Sequence, residues 1–261
     1  MTAALLLGAL IGVLLGLLGG GGSILAVPAL LYGVGMPLSA AVPTSLLVVG
    51  ASSATGVIPR LRTREVQWRL ATVFGLAGAA TAFAGAAVNR LLPPWLVLSG
   101  FAVLMIAAAV RMLQKQPEAG GDCALPGGGV NWRSCLPKAI GAGAAVGFLT
   151  GLFGVGGGFL IVPALALLLG LPMTAAVGTS LVIIVLNSAA GFVAYLSSIE
   201  IDYAITAAFA GSAIAGSIVA GHFAQRVRAA RLRRGFAYLV FVVAVLVLVQ
   251  LVVDPAAIAA P

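Results

Sequence analysis

Two long stretches of this chain contain no charged residue, and they constrain the fold more than any other feature. Residues 1 to 59 and residues 139 to 199 lack Asp, Glu, Lys and Arg entirely. Over the whole chain, 62% of the residues are hydrophobic and only 8% are charged, whereas roughly a quarter are charged in soluble globular proteins. The sequence therefore predicts an all-α polytopic membrane protein and excludes a soluble globular domain.

The two halves of the chain are copies of one another. Residues 8–46 align with residues 143–181 without a gap, and 22 of the 39 aligned pairs are identical. A match of this kind at a fixed offset indicates an internal duplication. We expect a first membrane repeat over 1–115, a polar cytoplasmic linker over 116–135, a second membrane repeat over 136–254 and a short tail over 255–261.

Each repeat divides into five apolar segments, and the second segment of each repeat is too short to cross a bilayer. The predicted segments are 3–18, 23–34, 38–58, 70–88 and 93–113, then 137–153, 158–170, 174–196, 203–223 and 235–253. A spanning helix needs about 20 residues. We therefore expect the first two segments of each repeat to form a broken or re-entrant helical hairpin, which a membrane tolerates only against protein or a watery cavity.

Basic residues between the apolar segments set the predicted orientation. Loop 60–69 carries four arginines against one glutamate, and we place it in the cytoplasm together with the basic cluster 225–234 and the linker. Loop 197–203 holds Glu200 and Asp202 but no basic residue, so we place it on the opposite side. These assignments agree only if the repeats have inverted topology. We expect a multi-pass protein of the inner cell membrane with both termini outside.

Glycine-rich turns precede both short segments. The residues concerned are Gly20, Gly21, Gly22 and Ser23 in the first repeat and Gly156, Gly157 and Gly158 in the second. Glycine permits a sharp turn and a close approach to a ligand, and a following helix N-terminus offers free N–H groups to an anion. We predict that both turns bind a small anion near the membrane midplane. The alternative is that glycine only permits tight helix packing, which is our interpretation of Gly8, Gly12 and Gly16.

Hydroxyl and amide side chains recur at membrane depth. Thr44 and Ser45 align with Thr179 and Ser180, and Asn187 follows two turns later. We expect these groups to contribute to the same substrate site, whereas their alternative role is bonding to their own or a neighbouring helix.

Titratable groups that suit gating or coupling are few. The candidates are Glu65, Glu200 and His222, although a carboxylate before a helix also stabilises the helix dipole. With one histidine, the sequence predicts neither a metal site nor a cofactor, and it leaves the coupling ion open between H⁺ and Na⁺. Cys123 and Cys135 fit no zinc spacing, and we interpret them as ordinary thiols.

The chain carries two paired motifs, LLGGGGSILAVPALLYGVGMPLSAAVPTSL and LFGVGGGFLIVPALALLLGLPMTAAVGTSL. Through these motifs it resembles the sulfite-exporter (TauE/SafE-type) membrane permeases, also called toluene-sulfonate uptake permeases. The resemblance implies transport of small sulfur oxyanions or organosulfonates such as sulfite, sulfoacetate or aryl sulfonates, with small carboxylates also open. The two motifs differ where Ser23 aligns with Gly158 and where Pro43 aligns with Gly178. The two half-sites therefore need not contribute equally.

We therefore predict a secondary transporter, a permease without enzymatic activity, that moves a small anion by alternating access around the two glycine turns. Its expected partners are the small anionic substrate and the lipid bilayer, with no nucleic acid, and the protein would be a monomer or a homodimer. The alternatives are an intramembrane enzyme and a membrane assembly protein without cargo.

Overall fold

The computed structural model describes residues 2–36, 38–62, 66–89, 91–114, 132–153, 158–195, 203–224 and 227–253. Within these ranges the chain is helical and contains no strand. The helices are α1 (Thr2–Leu18), α2 (Ser23–Pro28), α3 (Leu38–Arg62), α4 (Trp68–Asn89), α5 (Pro94–Leu113), α6 (Trp132–Phe153), α7 (Gly158–Pro163), α8 (Met173–Tyr195), α9 (Tyr203–Ala224) and α10 (Ala229–Val253). Seven of them are long and apolar enough to cross a membrane, which confirms the predicted all-helical membrane fold.

The second helix of each repeat is short and ends in the same irregular way. Pro28 closes α2 and Pro163 closes α7, and each is followed by a stretch of π-helix, Ala29–Val34 and Ala164–Leu168. Proline has no backbone N–H to give to the preceding turn, so regular α-helical bonding cannot continue through these positions. The same proline in each repeat therefore interrupts the short helix in the same way in both repeats.

In the first repeat the chain reverses direction between α1 and α2. A Cβ atom on Gly22 would lie 2.7 Å from the carbonyl oxygen of Ile11, and one on Gly33 would lie 2.2 Å from Cδ1 of Leu7. Residues later in the short segment thus contact residues earlier in α1. The two elements form an antiparallel hairpin whose turn contains the glycines.

The first helix of each repeat packs against the fourth helix of the other repeat. Gly12 of α1 lies against Ala213 of α9, and Gly147 of α6 lies against Gly78 of α4. A methyl group on either Gly12 or Gly147 would lie 2.0 Å from the facing carbonyl oxygen. Since no side chain fits there, the predicted packing role of the α1 glycines is confirmed, and their counterparts on α6 repeat it. Residue numbers rise together on both partners, as in Gly12 with Ala213 followed by Gly16 with Ser217, and Gly147 with Gly78 followed by Gly151 with Ala82, so each pair runs parallel.

The third helices of the two repeats, α3 and α8, form the centre of the bundle. Their apolar spans are 56% and 61% buried, whereas those of the other spanning helices are 28% to 44% buried. Gly191 lies against Leu46, Gly50 against Ser188, and Gly56 against Leu181. Position numbers rise on one helix as they fall on the other, so α3 and α8 run antiparallel.

Two interpretations made from the sequence are wrong. Arg60, which we assigned to the loop after the third segment, lies inside α3, because α3 continues through Pro59 to Arg62, and its side chain is only 1% exposed. Cys135 is disulfide-bonded rather than an ordinary thiol, a pairing that spacing alone does not reveal. In addition, α6 begins at Trp132, within the residues that we assigned to the linker.

Candidate functional site

The first glycine turn is a buried break between α1 and α2. Gly19, the residue after α1, has a φ of 71°, a left-handed backbone conformation that glycine adopts readily and other residues avoid. A 3₁₀ turn over Gly20–Gly22 follows, and the hydroxyl of Ser23 donates a hydrogen bond of 2.6 Å to the carbonyl oxygen of Gly20. Gly19, the turn and Ser23 are all buried. The Ser23 hydroxyl thus bonds to the backbone of the turn that precedes it.

The first break meets the start of α7 from the other repeat. A methyl group on Gly20 would lie 1.6 Å from the carbonyl oxygen of Gly158, and one on Gly158 would lie 2.3 Å from the Oγ of Ser23. A methyl group on Gly19 would lie 2.7 Å from the Oγ of Ser180. The structure therefore brings Gly20, Ser23, Gly158 and Ser180 together. Gly156 and Gly157 lie outside the described residues.

This meeting point is closed. Backbone touches backbone at Gly20 and Gly158, so no atom larger than hydrogen fits between them. Gly21 turns the other way and faces Phe236 and Leu239 of α10, and Gly22 faces α1.

In the two Thr-Ser pairs the serine hydroxyls make the same kind of hydrogen bond, whereas the threonine hydroxyls differ. Ser45 donates to the carbonyl of Val42 at 2.7 Å, and Ser180 donates to that of Val177 at 2.9 Å. The hydroxyl of Thr179 accepts a hydrogen bond of 3.1 Å from the backbone N–H of Gln67. Thr44 is fully buried, and its hydroxyl has no hydrogen-bond partner in the described part of the chain.

The structure does not bring Thr44 and Thr179 together. Thr44 lies near the end of the α3–α8 contact marked by Leu46 and Gly191, and Thr179 lies near the end marked by Gly56 and Leu181. At 1.5 Å per residue, these antiparallel positions are about 20 Å apart along the helix axes. Ser180 lies against Gly19 and so brings the second Thr-Ser pair to the first break.

Two of the remaining candidates are described by the structure, and two lie outside the described residues. Asn187 is half-buried on α8. His222 is exposed on the last turn of α9, where its Nδ1 lies 3.0 Å from the carbonyl oxygen of Ile218. Glu65 and Glu200 lie outside the described residues. Across the parts of the chain that are described, no group of three His, Cys, Asp or Glu side chains could hold a metal ion.

Sequence reasoning missed several buried polar residues of α3. Nη2 of Arg60 donates a hydrogen bond of 3.0 Å to the carbonyl oxygen of Gly16, one turn before the first break. Ser52 and Ser53 are buried on α3, and the Ser217 hydroxyl of α9 donates to the Ser52 carbonyl at 2.8 Å. Ser52 aligns with Asn187 in the duplicated half, and that alignment was the available signal. No sequence signal indicated that Arg60 is buried, because it is the first residue of a basic cluster that is typical of an exposed loop.

Comparison with known proteins gives a consistent result. Residues 4–247 match the family model described as sulfite exporter TauE/SafE. A probable membrane transporter protein of Xylella fastidiosa strain 9a5c is 34% identical over 92% of this chain and 92% of its own length. The probable membrane transporter protein YunE of Bacillus subtilis strain 168 is 28% identical over 76% of this chain and 78% of its own length. No solved structure matches the chain significantly.

Proposed function

Because the chain belongs to the sulfite exporter TauE/SafE family of membrane transporters, we propose that it is a secondary transporter for a small sulfur oxyanion or organosulfonate. Sulfite and sulfoacetate are representative cargo. The proposal includes alternating access, in which the two repeats move against each other around the glycine breaks, with H⁺ or Na⁺ as the coupling ion. The protein works as a monomer or a homodimer and needs no cofactor.

The course of the helices supports inverted topology of the repeats. Corresponding helices α3 and α8 run antiparallel across the centre of the bundle. A two-fold axis in the membrane plane relates two such helices, whereas an axis along the membrane normal would make them parallel. The reciprocal pairs α1 with α9 and α4 with α6 fit the same axis. Inverted repeats place a substrate site at their interface.

One observation carries the transport proposal: the first break and the start of α7 meet across the interface of the two repeats. Gly20, Gly158 and Ser23 contact one another there. Backbone N–H groups at helix starts stabilise anions without a full positive charge, and a sulfur oxyanion offers several acceptor oxygens. In our proposal Gly20, Gly21, Gly22, Ser23 and Gly156 to Gly158 supply the N–H groups, and the side chains of Thr44, Ser45, Thr179, Ser180 and Asn187 supply further donors as the repeats move.

The closed contact between Gly20 and Gly158 supports an alternating mechanism rather than a permanent channel. Backbone atoms in contact exclude both water and substrate. Each repeat would withdraw its break in turn, which exposes the N–H groups to one side of the membrane at a time. Glu65, Glu200 and His222 are the proposed gating or coupling groups in this cycle.

The proposal is tested by reconstituting the purified protein in proteoliposomes and following labelled sulfite and sulfoacetate. We expect saturable movement that Gly20→Val abolishes, since its larger side chain cannot fit against Gly158. Gly211→Ala is the matched control because a Cβ there meets nothing within 4 Å. Sulfate, phosphate and acetate, tested in parallel, define the substrate class. Flux of every anion equal to that of protein-free vesicles would refute the proposal.

A further inference from the structure

A cleft of about 490 Å³ lies between the end of α1 and the first half of α10, and the transport proposal does not use it. Its walls include Leu14, Leu17 and Leu18 of α1 and Val242 of α10. Arg231 is its charged lining residue. The cleft is therefore an apolar slot with one positive group, which suits a ligand with an apolar tail and an anionic head.

The length and direction of the cleft match one leaflet of a bilayer. Leu18 lies nearest Gly235, 3.8 Å from a Cβ placed there, whereas Arg231 stands one turn earlier, in the first turn of α10. From Arg231 to Val242 the helix rises about 16 Å at 1.5 Å per residue. Half of a hydrocarbon core of about 30 Å is nearly the same length. An acyl chain lying in the slot would place its headgroup at Arg231.

The charge at the Arg231 end of the cleft is positive, and the helices that form the cleft carry no acidic residue to neutralise it. Arg228, Arg231 and Arg234 are all exposed. Residues 1–59 and 203–253, which contain α1, α9 and α10, include no Asp or Glu. Tyr238 lines the cleft two turns further along α10 and is 59% exposed, so it borders the acyl chain rather than the headgroup. A small inorganic anion would leave the apolar walls unused.

We propose that this cleft binds an anionic phospholipid of the surrounding membrane, with one acyl chain in the slot and the headgroup phosphate beside Arg231. The occupant lies against the first break, because Leu239 lines the cleft and also contacts Gly21, which Phe236 contacts too. Binding of the lipid therefore stabilises the packing of α10 against the break. Lipid binding at this cleft does not depend on which substrate the protein transports.

Native mass spectrometry of the detergent-purified chain tests this, with phosphatidylglycerol and phosphatidylcholine of identical acyl chains as probes. We expect a preference of about fivefold for phosphatidylglycerol, which corresponds to about 1 kcal/mol for one basic residue. Arg231→Gln should remove most of this preference. Arg69→Gln, at an exposed arginine on the first turn of α4, should keep it.

A second variant tests the slot itself. Gly235→Leu fills the cleft from α10 and should reduce retention of both lipids, while Gly235→Ala, whose methyl meets only Leu18 in ordinary contact, reports on the fold. Equal binding of the two lipids, an unchanged preference in Arg231→Gln, or full retention in Gly235→Leu would overturn the proposal. Displacement of the bound lipid by toluenesulfonate would also overturn it, because the cleft would then be a route for substrate.

Discussion

Arg60 of α3 donates a hydrogen bond of 3.0 Å from Nη2 to the carbonyl oxygen of Gly16 in α1. The last four carbonyls of a helix have no partner within it, and Gly16 is among them. The guanidinium therefore meets the negative end of the α1 dipole, one turn before the chain breaks at Gly19. This buried contact ties the central helix α3 to the half-helix that carries the first glycine turn.

Arg60→Gln should lower the free energy of unfolding by about 1.5–3 kcal/mol, the range for hydrogen bonds to charged groups. The stability of Arg60→Lys should lie between that of the wild type and that of Arg60→Gln, because an ammonium keeps the charge but loses the planar geometry of the guanidinium. The measurement is equilibrium unfolding in mixed micelles. Arg69→Gln is the control, since exposed substitutions usually change stability by less than about 0.5 kcal/mol. Equal stabilities of Arg60→Gln and Arg69→Gln would contradict this role.

Gly20→Ala should stop anion movement, because its methyl group would overlap the carbonyl oxygen of Gly158 at 1.6 Å. Gly141→Ala and Gly211→Ala meet nothing within 4 Å, so each should keep full activity and gain up to about 1 kcal/mol of stability from helix propensity. Uptake in proteoliposomes and thermal unfolding are measured on the same preparations. Wild-type uptake by Gly20→Ala would show that the closed contact is not needed.

Thr44→Val and Thr179→Val should have different effects on stability although the two threonines are copies. Thr179→Val leaves the N–H of Gln67 without its partner, which costs about 1–3 kcal/mol. Thr44→Val removes a buried hydroxyl that bonds to nothing within the described residues, so it should be neutral or stabilising. If Thr44 faces the substrate, uptake affinity falls about tenfold while stability holds. Unchanged affinity in Thr44→Val would assign the hydroxyl to packing.

Much of the fold was predictable because membrane burial makes the sequence simple. Apolar length alone located all ten helical segments, and the fixed offset between halves predicted that the short segments would recur. The glycines of α1 were predictable as packing residues because their spacing of four places them on one helix face. Helix starts were less predictable: α6 and α10 begin at Trp132 and Ala229, because basic residues in a first turn do not stop a helix.

The site was only partly predictable, because sequence position does not give depth across an antiparallel pair. Thr44 and Thr179 occupy the same place in each repeat, yet the antiparallel packing of α3 against α8 places them about 20 Å apart along the helix axes. Arg60 belongs to a basic cluster in sequence, whereas tertiary packing buries it. Its hydrogen bond to Gly16 ends on a backbone carbonyl, which no side-chain motif can reveal.

A disulfide between Gly50→Cys and Ser188→Cys should form readily and tests the register of α3 against α8. A Cβ on Gly50 would lie 3.1 Å from the Cβ of Ser188, close to the roughly 3.5–4.5 Å of natural disulfides. The background carries Cys123→Ser and Cys135→Ser. Gly50→Cys with Leu186→Cys is the control, because Leu186 is exposed on α8. Cross-linking in the control pair but not in the test pair would refute the register.

The loops that follow α3 and α8 should face opposite sides of the membrane. The two helices run antiparallel in contact with each other, so the chain leaves them in opposite directions. Residues 60–69, from the end of α3 to the start of α4, carry four arginines, whereas residues 197–203 carry only acidic charges, and the positive-inside rule separates them in the same sense. With the cysteine-free background, an impermeant maleimide should label Ser198→Cys in intact cells but Thr63→Cys only after permeabilisation. Labelling of both sites from one side would contradict the inverted arrangement, while leaving the packing of Gly20 against Gly158 untouched.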